Sequence, residues 1–136
     1  MQPAAVLESA LYVTDLPRAV AFYRDVLGLE LVREPDHRNA FFRCGAGVVL
    51  LFNADETIKP PAPGALPVPT HGTRGAGHLC FRADRAEIPL WKAHLEASGV
   101  EIESEVEWPN GAHSLYFRDP SGNSLEFGEP ELWNMK

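Results

Sequence analysis

Residues 113–128 read HSLYFRDPSGNSLEFG. Apolar and polar side chains alternate on either side of Asp119-Pro120-Ser121-Gly122-Asn123, a run of turn formers. A period of two marks half-buried strands, and Asp, Pro, Gly and Asn suit the backbone of a reversal. The stretch predicts a hairpin of strands 113–118 and 124–128. With a five-residue loop, Arg118 pairs with Ser124 and Tyr116 with Glu126. Directly paired residues share a sheet face, so Ser114, Tyr116 and Arg118 are expected on the face of Glu126.

The same pattern occurs earlier in the chain. Phe42-Arg43, Gly47 and Phe52 return as Phe117-Arg118, Gly122 and Phe127 at a gap-free offset of 75. Gly28-Leu29-Glu30 returns as Gly99-Val100-Glu101 at offset 71, and Glu8 falls opposite His78 at offset 70. The chain reads as an internal duplication. The gap-free offset sets Leu51 opposite Glu126, Arg43 across from Val49, and Phe41 across from Leu51.

Working outward, each half has the order βαβββ. In the first, residues 6–13 alternate as a strand, and Thr14-Asp15-Leu16-Pro17 opens a helix over 19–27 that Gly28 stops. Strands 29–32, 39–44 and 48–53 follow. In the second, strand 77–83 precedes a helix over 89–98 stopped by Gly99, strand 100–107 and the hairpin. Between them, 58–75 carries five prolines and three glycines, which excludes a helix or central strand. Module one spans about 5–55, the Pro-rich linker about 58–75 and module two about 76–129, within one domain, 1–136.

Composition narrows the function. At 136 residues the chain suits one domain, and its formal net charge of −7 opposes a phosphate backbone or an anionic membrane. The uninterrupted apolar run from Val48 to Phe52, five residues and unexceeded in the chain, is far short of a membrane helix. No signal peptide is visible, and two cysteines make no disulfide framework, so a cytoplasmic protein is expected.

The stretches LYVTDLPRAVAFYRDVLGLELV, GHLCFRAD and LYFRDPSGNSLEFGEP resemble the vicinal oxygen chelate superfamily. This superfamily includes glyoxalase I, bleomycin- and fosfomycin-resistance proteins and extradiol dioxygenases. The resemblance implies an α+β fold of two βαβββ modules whose mixed sheets form a cupped, barrel-like cavity, in a homodimer. It also implies a divalent ion (Mn, Fe, Ni, Zn or Mg) and places the ligand positions at Glu8, Leu51, His78 and Glu126. Leu51 has no donor atom.

The residues themselves bear this out chemically. Glu8 and His78 hold equivalent positions in two repeats, and Glu126 closes the second on the same face. One imidazole and two carboxylates suit a hard or borderline divalent ion with positions left for substrate. The resemblance implies a metal-dependent, glyoxalase-like lyase or isomerase acting on a small oxygen-rich substrate. The alternatives are an extradiol-type dioxygenase and a metal-free binding protein of the bleomycin-resistance type. Glu126 is the candidate base and Tyr116 a hydroxyl for substrate oxygen. Phe41, Arg43, Leu51, His71, His113 and Arg118 are candidate substrate contacts. The alternating Glu101, Glu103, Glu105 and Glu107 read as a solvated strand face.

Overall fold

The computed structural model describes all residues, Met1–Lys136. The chain forms two compact units, Met1–Ala76 and Gly77–Lys136. The Pro-rich stretch therefore belongs to the first.

In the first unit, strand β1 (Glu8–Tyr12) leads to helix α1 (Leu16–Ala21), which continues as a π-helical turn, Phe22–Val26. The helix begins where expected because the Asp15 carboxylate accepts the Arg18 N–H at 3.0 Å, with Pro17 in the first turn. Gly28, at φ 72°, ends it in a conformation that glycine adopts without strain. Strands β2 (Glu30–Leu31), β3 (Asn39–Cys44) and β4 (Gly47–Phe52) complete the sheet, in the order β1-β4-β3-β2. β1 runs parallel to β4, and the other pairs are antiparallel. A short helix α2 (Ala54–Thr57) follows, its N-terminus capped by the Asn53 side chain. Residues 58–75 then run without helix or strand.

The second unit repeats the plan. Strand β5 (His78–Arg82), helix α3 (Ile88–Ala97), and strands β6 (Ile102–Glu107), β7 (His113–Arg118) and β8 (Ser124–Gly128) give the order β5-β8-β7-β6. β5 is parallel to β8. The fold is α+β, two four-stranded mixed sheets each backed by a helix.

Each unit buries one sheet face under its helix. In the first, Ala40, Phe42, Val49 and Leu51 are buried together with Ala19, Val20 and Tyr23, and the Tyr23 and Phe42 rings lie 5.9 Å apart. In the second, Leu115, Phe117, Leu125 and Phe127 are buried, and Trp91 of α3 stacks on Phe127 at 4.2 Å. Leu51, Leu115, Phe117 and Leu125 are fully excluded from solvent.

The second hairpin has the expected register, with Tyr116 opposite Glu126 and Arg118 opposite Ser124. The first does not. Phe41 pairs with Leu50 and Arg43 with Val48, while Leu51 pairs with Ala40. The cause is the turn. Four residues separate Arg43 from Val48, whereas five separate Arg118 from Ser124. The offset between repeats is therefore 75 before the turn and 76 after it. A one-residue slip moves a side chain to the other sheet face. Leu51 accordingly lies in the helix-side core and not among substrate contacts. Leu50 occupies the position that corresponds to Glu126.

Candidate functional site

In the second unit, β5 and β8 run parallel with His78 beside Ser124 and Cys80 beside Glu126. Strand alternation sets His78, Cys80, Glu126, Tyr116 and Ser114 on the face away from α3. Glu126 is nearly buried, with 5% of its side chain exposed, and its Oε2 lies 3.3 Å from His78 Nε2. Its other oxygen accepts a hydrogen bond from the Ser114 hydroxyl. The Ser114 oxygen in turn accepts from Trp108 Nε1 at 2.9 Å. This chain of donors fixes the carboxylate plane and turns Oε2 toward the imidazole.

The imidazole is oriented as well. His78 Nδ1 lies 3.0 Å from the Ser124 carbonyl oxygen, which only an N–H can meet. Nε2 of the neutral ring is then left with a lone pair that faces a carboxylate oxygen. Two acceptors at that distance repel unless a cation lies between them or the ring takes a second proton. Bonds of about 2.0–2.2 Å from one ion to nitrogen and oxygen are compatible with this separation. A backbone carbonyl on the far nitrogen is the usual support of a metal-binding histidine. The donor pair fits a divalent ion.

Two neighbours are tuned by this setting. Burial, and then the Glu126 carboxylate, pushes the Cys80 thiol up to about 12. It stays a neutral thiol and offers no soft thiolate. Burial and the same carboxylate also raise the Tyr116 phenol above its ordinary value, so it stays a hydrogen-bond donor at neutral pH. The Tyr116 and His78 rings lie near parallel, with centroids 6.4 Å apart. Gly128 makes room for the cluster. A Cβ there would lie 2.9 Å from Cys80 Sγ and 3.1 Å from Glu126 Oε1.

Arg118 shares the Glu126 face, but its guanidinium donates to Glu103 at 2.6 and 2.9 Å and to the Gly122 carbonyl at 3.0 Å. His113 does not join the cluster. It alternates with Ser114 onto the helix-side face, where Nδ1 lies 3.3 Å from Glu129 and Nε2 3.7 Å from Glu107. Arg85 donates to both Glu129 oxygens, at 3.0 and 3.2 Å. The expectation of a His113 substrate contact is corrected by strand parity: odd-numbered residues of β7 face the core.

In the first unit, the sheet face away from α1 carries Glu8, Phe41, Arg43, Val48, Leu50 and Phe52. Glu8 pairs with Val48 as His78 pairs with Ser124, so the two hold matching rungs. These residues floor a cavity of about 750 Å³, which residues of the Pro-rich stretch, His71 among them, wall. His71 Nδ1 is 2.6 Å from the Tyr12 hydroxyl, and its ring meets Phe52 edge-on at 4.6 Å. Phe41, Arg43, His71 and Glu8 line this one cavity together. Arg33, Arg38 and Asn39 also line the cavity and escaped sequence reading. Arg33 and Arg38 lie in irregular backbone, where neither repeat nor alternation gives a signal, while Asn39 opens β3 on the face of Phe41 and Arg43.

No group of three His, Cys, Asp or Glu side chains in the chain is spaced to hold a metal ion. No helix is long and apolar enough to cross a membrane.

Comparison with known proteins adds relatives. The family model described as Glyoxalase/Bleomycin resistance protein/Dioxygenase superfamily matches residues 5–127. A solved structure of lactoylglutathione lyase from Agrobacterium tumefaciens superposes with a TM-score of 0.94 at 46% identity, over 99% of this chain and 100% of that one. The metallothiol transferase FosB of Staphylococcus saprophyticus is 28% identical over 116 residues, 84% of this chain and 69% of its own length. A virulence protein of Salmonella typhimurium is 29% identical over 122 residues, 88% of this chain and 79% of its own.

Proposed function

The chain belongs to the Glyoxalase/Bleomycin resistance protein/Dioxygenase superfamily, and from that premise we propose that it is a metal-dependent, glyoxalase-like lyase or isomerase of a small oxygen-rich substrate. The observation that carries the reading is the His78–Glu126 pair, with Nε2 and Oε2 3.3 Å apart and both side chains braced from behind. His78 and Glu126 would hold a divalent ion, its remaining positions open to water or substrate; Glu8 keeps the matching rung of the first unit. Such an ion supplies Lewis acidity to neighbouring substrate oxygens.

The chain's own residues do the rest. Glu126 holds one oxygen toward the imidazole and is positioned to take a proton from substrate. Tyr116, kept protonated, donates a hydrogen bond to a substrate oxygen. Leu50, on the last strand of the first unit, stands where the proton shuttle of glyoxalase I would need a second carboxylate. Turnover of the methylglyoxal–glutathione hemithioacetal is therefore expected below the order of 10⁴ M⁻¹s⁻¹. Glu8 in place of a histidine weighs against an extradiol dioxygenase. Superfamily proteins often form dimers, and we infer a homodimer here, which light scattering would check.

The test is metal analysis of purified protein, wild type against His78→Ala and Glu126→Gln. Wild type is expected to bind one Mn²⁺, Zn²⁺ or Ni²⁺ per chain at micromolar concentration, and both variants to lose it. Failure of wild type to bind any of the three would overturn the reading in favour of a metal-free binding protein.

A further inference from the structure

The cavity of the first unit has a charge opposite to that of the chain. The protein is acidic overall, with a net charge of −7. Of its nine arginines, five are ion-paired: Arg24, Arg74, Arg82, Arg85 and Arg118. Of the four that are not, three line this one cavity: Arg33, Arg38 and Arg43. Glu8 is the sole carboxylate of the lining.

Two of these guanidiniums are held in place by neutral partners. Arg33 lies over the Phe41 ring at 4.9 Å and donates to Asn39 Oδ1 at 3.2 Å. Arg38 donates to the Glu56 backbone carbonyl at 3.1 Å. A guanidinium has five N–H donors, so each keeps most of them for another acceptor while its position is set. Between the charges the surface is apolar, formed by Val48, Leu50 and Phe52 below and by Leu66 and Val68 of the Pro-rich wall. The volume of about 750 Å³ lies in the range of small-molecule sites.

We propose that this cavity binds a small amphipathic anion, with a carboxylate or phosphate held by Arg33, Arg38 and Arg43 and an apolar body against Phe41, Leu50 and Phe52. Arginine suits both head groups, since its planar fork meets two oxygens at once. The sheet sets the length of the ligand. Glu8, Val48 and Arg43 occupy one rung across three strands, and strands lie about 4.8 Å apart, so Glu8 and Arg43 are roughly 10 Å apart along it. The anionic end lies at the arginine side, where Arg33, Arg38 and Arg43 outnumber the neighbouring carboxylates, Glu30 opposite Arg43 and Asp36 beside Arg33. The other end reaches Glu8. The proposal rests on the enzyme reading only in calling this anion the substrate; the binding itself stands without it.

The test uses metal-stripped full-length protein and calorimetric or NMR titration. The probes are 4-phenylbutyrate, phenyl phosphate, neutral 4-phenylbutanol and inorganic phosphate. At least one aromatic anion is expected to bind ten-fold or more tightly than the neutral alcohol and than inorganic phosphate. The ratio of phenyl phosphate to phenylbutyrate affinity distinguishes a phosphate from a carboxylate head. Arg43→Gln and Arg33→Gln are each expected to weaken the preferred anion by ten-fold or more and to leave phenylbutanol within two-fold. His78→Ala, in the other unit, is expected to leave anion binding unchanged while abolishing metal binding, which separates this proposal from the enzyme reading. Equal affinity for anion and alcohol, unchanged anion binding in both arginine variants with native circular dichroism, or no binding of any probe would overturn it.

Discussion

The two hairpins differ by one residue in the turn and by the whole chemistry of the strand that follows. In the first unit the turn is short, with Cys44 opposite Gly47. β4 then presents Val48, Leu50 and Phe52 away from the helix. In the second, Asp119 organises a longer loop. Its carboxylate accepts the Ser121 and Asn123 N–H groups, each at 2.9 Å, and Asn123 Nδ2 donates to its second oxygen at 2.9 Å. β8 then presents Ser124, Glu126 and Gly128. One repeat keeps a donor with buried support, and the other keeps an apolar row flanked by arginines. A duplicated unit can divide its labour this way because the helix-side core and the open face alternate residue by residue. The open face changes while the core stays apolar.

Adjacent leucines give the sharpest test of that division. Leu51→Glu would bury a carboxylate without a partner in the helix-side core, at a cost of at least about 3 kcal/mol. Urea unfolding should show the first unit lost or severely destabilised. Leu50→Glu, one residue away on the open face and lining the cavity, is expected to stay folded and to weaken binding of an amphipathic anion there by ten-fold or more. Equal stability of the two variants would break the register assignment.

A smaller effect probes the support behind Glu126. Ser114→Ala removes the hydroxyl that links Trp108 to the carboxylate. The expected result is a roughly 10–100-fold loss of metal affinity, read by calorimetry, with the fold retained. Gly128→Ala sets a methyl against Cys80 and Glu126. It should weaken metal binding and cost about 1–3 kcal/mol, whereas no such effect is expected from alanine at Phe52, the corresponding rung of the first unit, on metal binding.

The smallest effect concerns pH. Burial opposes ionisation of Glu129, yet hydrogen bonds from Arg85 and the His113 N–H, with their charges, hold its carboxyl below the usual range. A depressed native value stabilises the fold above the unfolded value, about 4.3, and that stability is lost as pH falls through the native value. Glu129→Gln is expected to lower stability at pH 7 by about 1–3 kcal/mol and to flatten the acid limb of the second unit's stability curve. An unchanged acid limb would remove Glu129 from that role.

Most of the fold was legible in the sequence because its signals are local. Pro17, Asp15 and Gly28 bound the first helix, and alternation about a run of turn formers marks the second hairpin. The register of the first hairpin was not, because a gap-free match of Phe42-Arg43 and Phe52 hides a one-residue difference in the turn. Only pairing across the strands reveals it. The helix α2 was not legible either, being a single turn between a strand and a Pro-rich run. The His78–Glu126 pair followed from repeat and parity. The arginines of the cavity did not, since Arg33 and Arg38 lie in irregular backbone whose path depends on packing.

The parallel pairing of β5 with β8 has a consequence for folding order. His78 and Ser124 are 46 residues apart, and both strands lie at the ends of their unit. The β7–β8 hairpin closes over five residues and α3 forms locally, so both can precede the long closure that brings β5 in. His78 therefore meets Glu126 in the last strand pairing of the unit. In stopped-flow refolding, ion uptake is expected to trail the backbone signals, reporting the completed unit and none of its parts.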